Sequence, residues 1–200
     1  MTIPRVFISS TLDLGQPVGG GPVHSPYKQK AGYRASAAVE ALVYGQSTDY
    51  RGPRYAGAEV QGADVTISFD PASLYGAPLA LNTTVSCPPT LCTGCCEDFA
   101  VQTAGSCQWF SASGGNVTAQ LVGSGTQLRL SLLGDAATTG PIVATRGFFA
   151  NWPLVQLYGG NGIPAEPWLA NVTSGVGCAA PPPTAAWVEE LRPGVPGAMH

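Results

Sequence analysis

Val65-Thr66-Ile67-Ser68-Phe69 alternates apolar with polar residues, and Leu128-Arg129-Leu130-Ser131-Leu132 repeats the pattern later in the chain. Successive side chains of a strand point to opposite faces, so a period of two predicts strands with one face buried and one in water. Working outward, Leu79-Ala80-Leu81 and the stretches 107–111, 118–122 and 141–146 are further strand candidates, separated by Gly and Pro turns. This spacing is that of a β-sandwich or jelly roll, placed over residues 47–172. The fold class expected is mainly β. A small α/β piece over 1–46 precedes the sandwich, and a Pro-rich tail over 173–200, including Pro181-Pro182-Pro183, is expected to be disordered.

Composition narrows the function classes. Charged residues make up 10% of the 200 residues, against roughly a quarter in ordinary globular proteins, while 26 Gly and 18 Pro fit short strands and many turns. A net charge of −3 and nine scattered Lys and Arg offer no electrostatic footprint for phosphate backbones or anionic lipid. No nucleic-acid partner and no membrane partner are therefore expected. No stretch approaches the roughly 20 apolar residues that cross a bilayer. Met1-Thr2-Ile3-Pro4-Arg5 also lacks the form of a signal peptide. Three sequons, at Asn82, Asn116 and Asn171, and an even count of six cysteines point instead to an oxidising compartment and a glycoprotein. The two signals agree if an upstream leader has been lost.

The N-terminal piece reads as α/β. Val6-Phe7-Ile8 has the pattern of a buried strand of a parallel sheet, and a Gly-rich loop follows it. Ser25 suits an N-cap, Pro26 the first helical position, and Gly45 the end of one helix. Ala31, Ala35, Ala38, Leu42 and Val43 recur at helical spacing as the packed face, leaving Lys28, Lys30, Arg34 and Glu40 toward water.

His24 stands just before this helix, where the positive end of the helix dipole disfavours the imidazolium and keeps the ring able to accept a proton. That suits a general base as well as it suits an exposed loop histidine. Asp13, eleven residues upstream across the Gly-rich loop, is the nearest preceding carboxylate able to orient the ring. Cys92-Thr93-Gly94-Cys95 has the spacing of a zinc half-site, but no second pair at that spacing exists, so no metal and no cofactor are expected. Phe148, Phe149, Trp152, Tyr158 and Trp168 either fill the sandwich core or form a sugar-stacking platform, with the core the favoured reading.

The stretch from Phe7 to Gly45 resembles the end of the hydrolase domain of the sialate O-acetylesterase family, secreted or lysosomal SGNH-type carbohydrate esterases. The matching residues are His24, Lys28, Gln29, Ala41, Leu42, Tyr44 and Gly45. The resemblance continues in order through Arg51-Gly52-Pro53, Cys95-Cys96, Cys107-Gln108-Trp109, Arg146, Trp152-Pro153 and Ile163-Pro164-Ala165-Glu166-Pro167-Trp168. It covers roughly residues 5 to 170. It implies the C-terminal end of an SGNH-type hydrolase domain over 1–46, then the family's β-domain, with a disulfide from Cys95 or Cys96 to Cys107.

By that resemblance the complete enzyme removes O-acetyl groups from sialic acids or related sugars through a serine acyl-enzyme. His24 is its catalytic base, and Asp13 is the candidate orienting acid. Only 23 residues precede His24, too few for a sheet that carries a nucleophile, so the missing N-terminal hydrolase portion is an expected partner and the chain alone is expected to be inactive. The chain departs from the family in having Ser25 in place of Pro and no Asp two or three residues before His24, where Pro22 and Gly21 stand. Gly45-Gln46-Ser47 matches the family's nucleophile string in the wrong context, because Ser47 follows a helix instead of ending a strand. The alternative is a non-catalytic β-sandwich module that binds a glycan or a protein.

Overall fold

The computed structural model describes residues 7–15, 25–85, 96–150, 152–173 and 178. Its elements in chain order are helix α1 (Lys28–Leu42) and strands β1 (Tyr55–Gln61), β2 (Asp64–Phe69), β3 (Ala80–Leu81), β4 (Cys96–Glu97), β5 (Phe99–Thr103) and β6 (Trp109–Ser111). The remaining strands are β7 (Val117–Val122), β8 (Gln127–Leu132), β9 (Ile142–Gly147), β10 (Trp152–Pro153), β11 (Leu157–Tyr158) and β12 (Trp168–Asn171). Two four-stranded antiparallel sheets, ordered β1-β2-β8-β7 and β12-β9-β5-β6, pack face to face as a β-sandwich. The mainly β fold with a small N-terminal helical piece is the one read from the alternating stretches. No helix among the described residues is long and apolar enough to cross a membrane.

The alternating runs set the register of the first sheet. Val65 pairs with Leu130 and Ile67 with Leu128, while Ala119 and Leu121 of β7 face the same leucines, so one face of the sheet is continuously apolar. The second sheet supplies Phe99, Val101, Ile142 and Trp168 to the same core. Trp168 is its hub: its ring stacks against Phe99 and Tyr55 at centroid distances of 6.0 and 6.4 Å, and Phe69 and Phe148 approach edge-on at 5.9 and 5.8 Å. Each such aromatic pair adds about 0.5–1.5 kcal/mol beyond its burial. The ring lies over Gly147, where a Cβ would overlap it. Trp168 and Phe148 are thus core residues, Tyr158 is half-buried and Phe149 is exposed.

Motifs far apart in sequence meet in this fold. Gly52 approaches the Pro164 carbonyl so closely that a Cβ would overlap it. The Pro53 carbonyl accepts from the Glu166 amide at 2.9 Å, and the Arg51 carbonyl accepts from Asn161 Nδ2 at 2.8 Å. Arg51-Gly52-Pro53 and Ile163 to Trp168 are therefore two sides of one contact. On the second sheet, Trp152-Pro153 pairs in parallel with Cys96-Glu97. Arg146 grips Glu97 through Nε at 2.6 Å and through Nη2, and lies 4.2 Å from the Trp109 ring centroid, a cation–π distance.

Several expectations need correction. Phe7 and Ile8 belong to no strand, and Ile8 is 88% exposed; a parallel strand needs flanking strands, and none of the described ones lies beside it. The helix begins at Lys28, because the Lys28 amide first closes a turn onto the Pro26 carbonyl at 2.9 Å and Ser25 Oγ accepts the Tyr27 amide at 3.2 Å. Its buried side is Arg34, Ala37 and Ala38, whereas Val43 is exposed. Cys107 pairs with Cys178, not with Cys95 or Cys96, and Cys96 is itself disulfide-bonded. The Cys107–Cys178 bridge spans 71 residues and is worth about 4 kcal/mol in the chain-entropy model. Val6, the Cys92–Cys95 half-site and the tail beyond 178 lie outside the described residues, as does the side chain of Trp152.

The packing of Trp168 on Gly147 yields a direct test. Gly147→Ala forces a methyl group into the ring and is expected to destabilise by about 1–3 kcal/mol in urea unfolding. An unchanged midpoint would mean that Trp168 does not sit there.

Candidate functional site

Asp13 sits on a single 3-10 turn, Leu12–Leu14, anchored by buried Leu14 and by the Leu14 amide bonded to the Thr11 carbonyl at 3.0 Å. Lys30 and Arg34 lie four residues apart on α1, hence on one face of the helix. Both reach the Asp13 carboxylate. Arg34 donates from Nη1 to Oδ1 at 2.6 Å and from Nη2 to Oδ2 at 2.8 Å, a bidentate fork, and Lys30 Nζ adds a contact to Oδ2 at 3.1 Å.

The remaining hydrogens of the two terminal guanidinium nitrogens go to backbone. Nη1 donates to the Ser10 carbonyl at 2.8 Å and Nη2 reaches the Gly162 carbonyl at 3.5 Å. One side chain thus joins the N-terminal segment, the helix and a loop of the sandwich. The pair is buried: the side chains of Arg34 and Asp13 are 3% and 5% exposed. Burial pushes the Asp13 carboxyl up, but the hydrogen bonds and charges of Arg34 and Lys30 outweigh it and hold the group below its ordinary value. Asp13 is an anion at neutral pH.

Beside this pair opens a cleft of about 780 Å³, with residues 7–12 on one wall and Tyr50, Arg51, Ile163 and Glu166 on the other. Ser9 and Ser10 bury their hydroxyl oxygens without a hydrogen-bond partner among the described residues. The Arg51 guanidinium lies 5.2 Å from the Tyr50 ring centroid.

Of the residues singled out in the sequence, Asp13 is placed as above and His24 lies outside the described residues. Ser47 is exposed beyond the end of α1, and Lys28 and Gln29 are exposed in its first turn. Arg34 is the residue that sequence reasoning missed, having been assigned to water. The available signal was two cations at i and i+4 on a helix, downstream of an acid in a chain poor in charge. Among the described residues no group of three or more His, Cys, Asp and Glu is arranged to hold a metal ion.

A second perturbed carboxyl lies away from the cleft. Asp98 is buried and accepts the Ser113 amide on Oδ1 at 3.1 Å, and its Oδ2 has no hydrogen-bond partner among the described residues. Burial is the main cause that raises it above its ordinary value, with backbone N–H groups offsetting part. Its backbone carbonyl accepts the Phe148 amide at 2.8 Å.

With this geometry established, comparison with known proteins adds one finding. No family model and no curated protein matches the chain. Its fold is similar to that of a carbohydrate acetylesterase from Xanthomonas citri, with a TM-score of 0.59 and 21% identity. That likeness is one of fold. It covers 80% of this chain and 31% of that enzyme, so the chain spans about a third of the enzyme's length.

The ion pair predicts a pH dependence. The folded carboxyl of Asp13 lies below its unfolded value near 3.9, so its contribution is complete above about pH 4 and lost as the pH falls through the lower folded value. Asp13→Ala strands a buried guanidinium and is expected to cost about 3 kcal/mol at pH 7, with a smaller gap from the unsubstituted protein at pH 2 to 3. Asp98 runs with the opposite sign: its raised value makes acidification stabilising above about pH 4, and Asp98→Asn removes that trend. Urea denaturation from pH 2 to 8 separates the two. A gap for Asp13→Ala that is constant with pH would show that the pair acts by packing alone.

Proposed function

We propose that the chain is the C-terminal part of a carbohydrate esterase related to the sialate O-acetylesterases, acting on O-acetylated sialic acid or a similar acetylated sugar. The observation that carries this reading is the likeness of fold to a carbohydrate acetylesterase over 80% of the chain. The motifs that suggested the family in sequence, from Arg51 through Trp168, also contact one another in space.

In the mechanism this reading implies, residues 1–46 end an SGNH-type hydrolase domain, 47–172 form its β-domain and 173–200 its tail. A serine upstream of this chain attacks the acetyl carbonyl while His24 takes the hydroxyl proton. His24 then returns the proton to the departing sugar oxygen, and water cleaves the acyl-enzyme by the same route. Asp13 is the acid that orients His24. A carboxylate offers about four acceptor positions, and Arg34 and Lys30 occupy three, which leaves one for an imidazole N–H.

The partner in this reading is the hydrolase portion that bears the nucleophile. In support, among the described residues five of the eight exposed large apolar side chains, Ile8, Tyr27, Tyr33, Val43 and Tyr44, lie in the short N-terminal piece, where such a portion would pack. The compartment is secretory or lysosomal, supported by the Cys107–Cys178 bridge.

The purified 200-residue chain is expected to leave an aryl acetate unhydrolysed. In an enzyme extended upstream through its serine block, His24→Ala is expected to lower kcat by at least about a thousandfold, and Asp13→Asn by less. Hydrolysis by the chain alone that disappears in His24→Ala would overturn the assignment of the nucleophile. An extended enzyme indifferent to His24→Ala would overturn the esterase role of this chain.

A further inference from the structure

The geometry points to N-linked oligosaccharides on Asn82, Asn116 and Asn171, two of which guard one edge of each sheet. The inference rests on the secretory reading above. A sequon is modified on the nascent chain, so the folded structure must leave the asparagine outside. All three asparagines are exposed.

Asn82 opens a local turn, its Oδ1 accepting both the Thr84 amide at 3.0 Å and the Thr84 hydroxyl at 2.7 Å. This brings the two polar groups of the sequon together on the surface just after β3. Asn116 immediately precedes β7 and donates from Nδ2 to the Gly114 carbonyl at 3.2 Å. Asn171 ends β12, opposite Ala144, and shares its outward face with Leu169, which is 52% exposed.

The placement of the last two carries the argument. Among the described strands, β7 and β12 each lie at one edge of a sheet, with backbone groups along one side that no described strand pairs. Proteins ordinarily blunt such edges with charged side chains, lysine above all, because an open edge recruits another strand. Val117-Thr118-Ala119-Gln120-Leu121-Val122 and Trp168-Leu169-Ala170-Asn171 contain no Lys, Arg, Asp or Glu. The whole chain is poor in charge, at 10%. β7 and β12 instead each have a sequon asparagine at one end, where a bulky hydrated oligosaccharide blocks the approach of a second strand, while the third uncharged edge, β6, is only three residues long.

The chemistry needs a lipid-linked oligosaccharide diphosphate as donor. The asparagine Nδ2 forms a bond to the anomeric carbon, the bond from that carbon to the diphosphate oxygen breaks, and a base of the transferase takes one amide proton. The lipid diphosphate leaves with the bonding electrons.

The test is expression of the full chain behind a cleavable leader in eukaryotic cells. Peptide-N-glycosidase treatment and peptide mapping then show which asparagines have been converted to aspartate. Three occupied sites are expected, each Asn→Gln variant removing one step of the mobility ladder. Deglycosylated protein, or Asn116→Gln with Asn171→Gln, is expected to leave the monomer peak in size-exclusion chromatography at concentrations where the glycosylated form stays monomeric. Leu169→Lys, which puts a charge on the β12 edge, is expected to restore part of the monomer, whereas Asn82→Gln leaves it unchanged. A chain secreted with Cys107 and Cys178 joined but with Asn116 and Asn171 bare would overturn the inference while leaving the secretory reading intact. Failure of the Cys107–Cys178 bridge to form would overturn that reading instead. Monomeric behaviour after complete deglycosylation would overturn the guarding role.

Discussion

The Arg34–Asp13 pair is the contact on which the arrangement of the N-terminal piece depends. A charged pair taken out of water survives only if its geometry recovers the lost hydration, and here the two terminal guanidinium nitrogens use all four hydrogens on two carboxylate oxygens and two backbone carbonyls. The consequence is positional more than energetic. Ser10 and Asp13 belong to the segment before the loop, Arg34 to the helix after it, and Gly162 to the sandwich. One rigid planar group therefore sets three backbone segments in register, and lysine, with a single point charge, cannot replace its fork.

The sandwich is held by a different logic. Its hub is an aromatic ring over a glycine, and its surroundings are the stretches that make the sequence distinctive. Gly52 against Pro164, Glu97 with Arg146, and Arg146 over Trp109 are contacts between parts of the chain that are far apart in sequence. The first two fix segments with little or no ladder of their own, the Gly52–Pro164 approach and the two-residue strand β4, while the third ties Arg146 of β9 to Trp109 of β6 across β5. Glycine at 52 and 147 is required by close approach, and Arg146 by simultaneous pairing and stacking. Residue types that look like signatures of a family in one dimension are, in three, the fasteners between loops and sheets.

That distinction explains what could be read in advance. Strands with one wet face announced themselves, since Val65, Ile67 and Phe69 and then Leu128, Leu130 and Leu132 alternate with polar residues. β5 did not, because Phe99 to Thr103 is buried on both sides and carries no period. The helix was legible but its face was not: a guanidinium was assigned to solvent by default, and only the position of Asp13 makes burying it favourable. The disulfide was out of reach of spacing arguments, as Cys107 and Cys178 are 71 residues apart and meet beside the end of β5, where Cys178 Sγ lies 3.5 Å from the Thr103 carbonyl. At the site, the sequence identified Asp13 as the acid worth watching, while the i and i+4 spacing of Lys30 and Arg34 was the one trace of the two cations that hold it.

The two parts of the chain consequently differ in how their shape responds to disturbance. The sandwich distributes its stability over a core in which Val65, Ile67, Phe99, Val101, Leu128 and Leu130 are all fully buried, so no single side chain controls its outline. Among the described residues of the N-terminal piece, Leu14, Ala37, Ala38 and the ion pair are buried and Leu12 packs against the sandwich core, and the cleft lies along that seam. The fork therefore reaches the cleft itself: Arg34 Nη1 holds the Ser10 carbonyl and Leu12 packs against the core, which sets the wall of residues 7–12 against Tyr50 and Glu166.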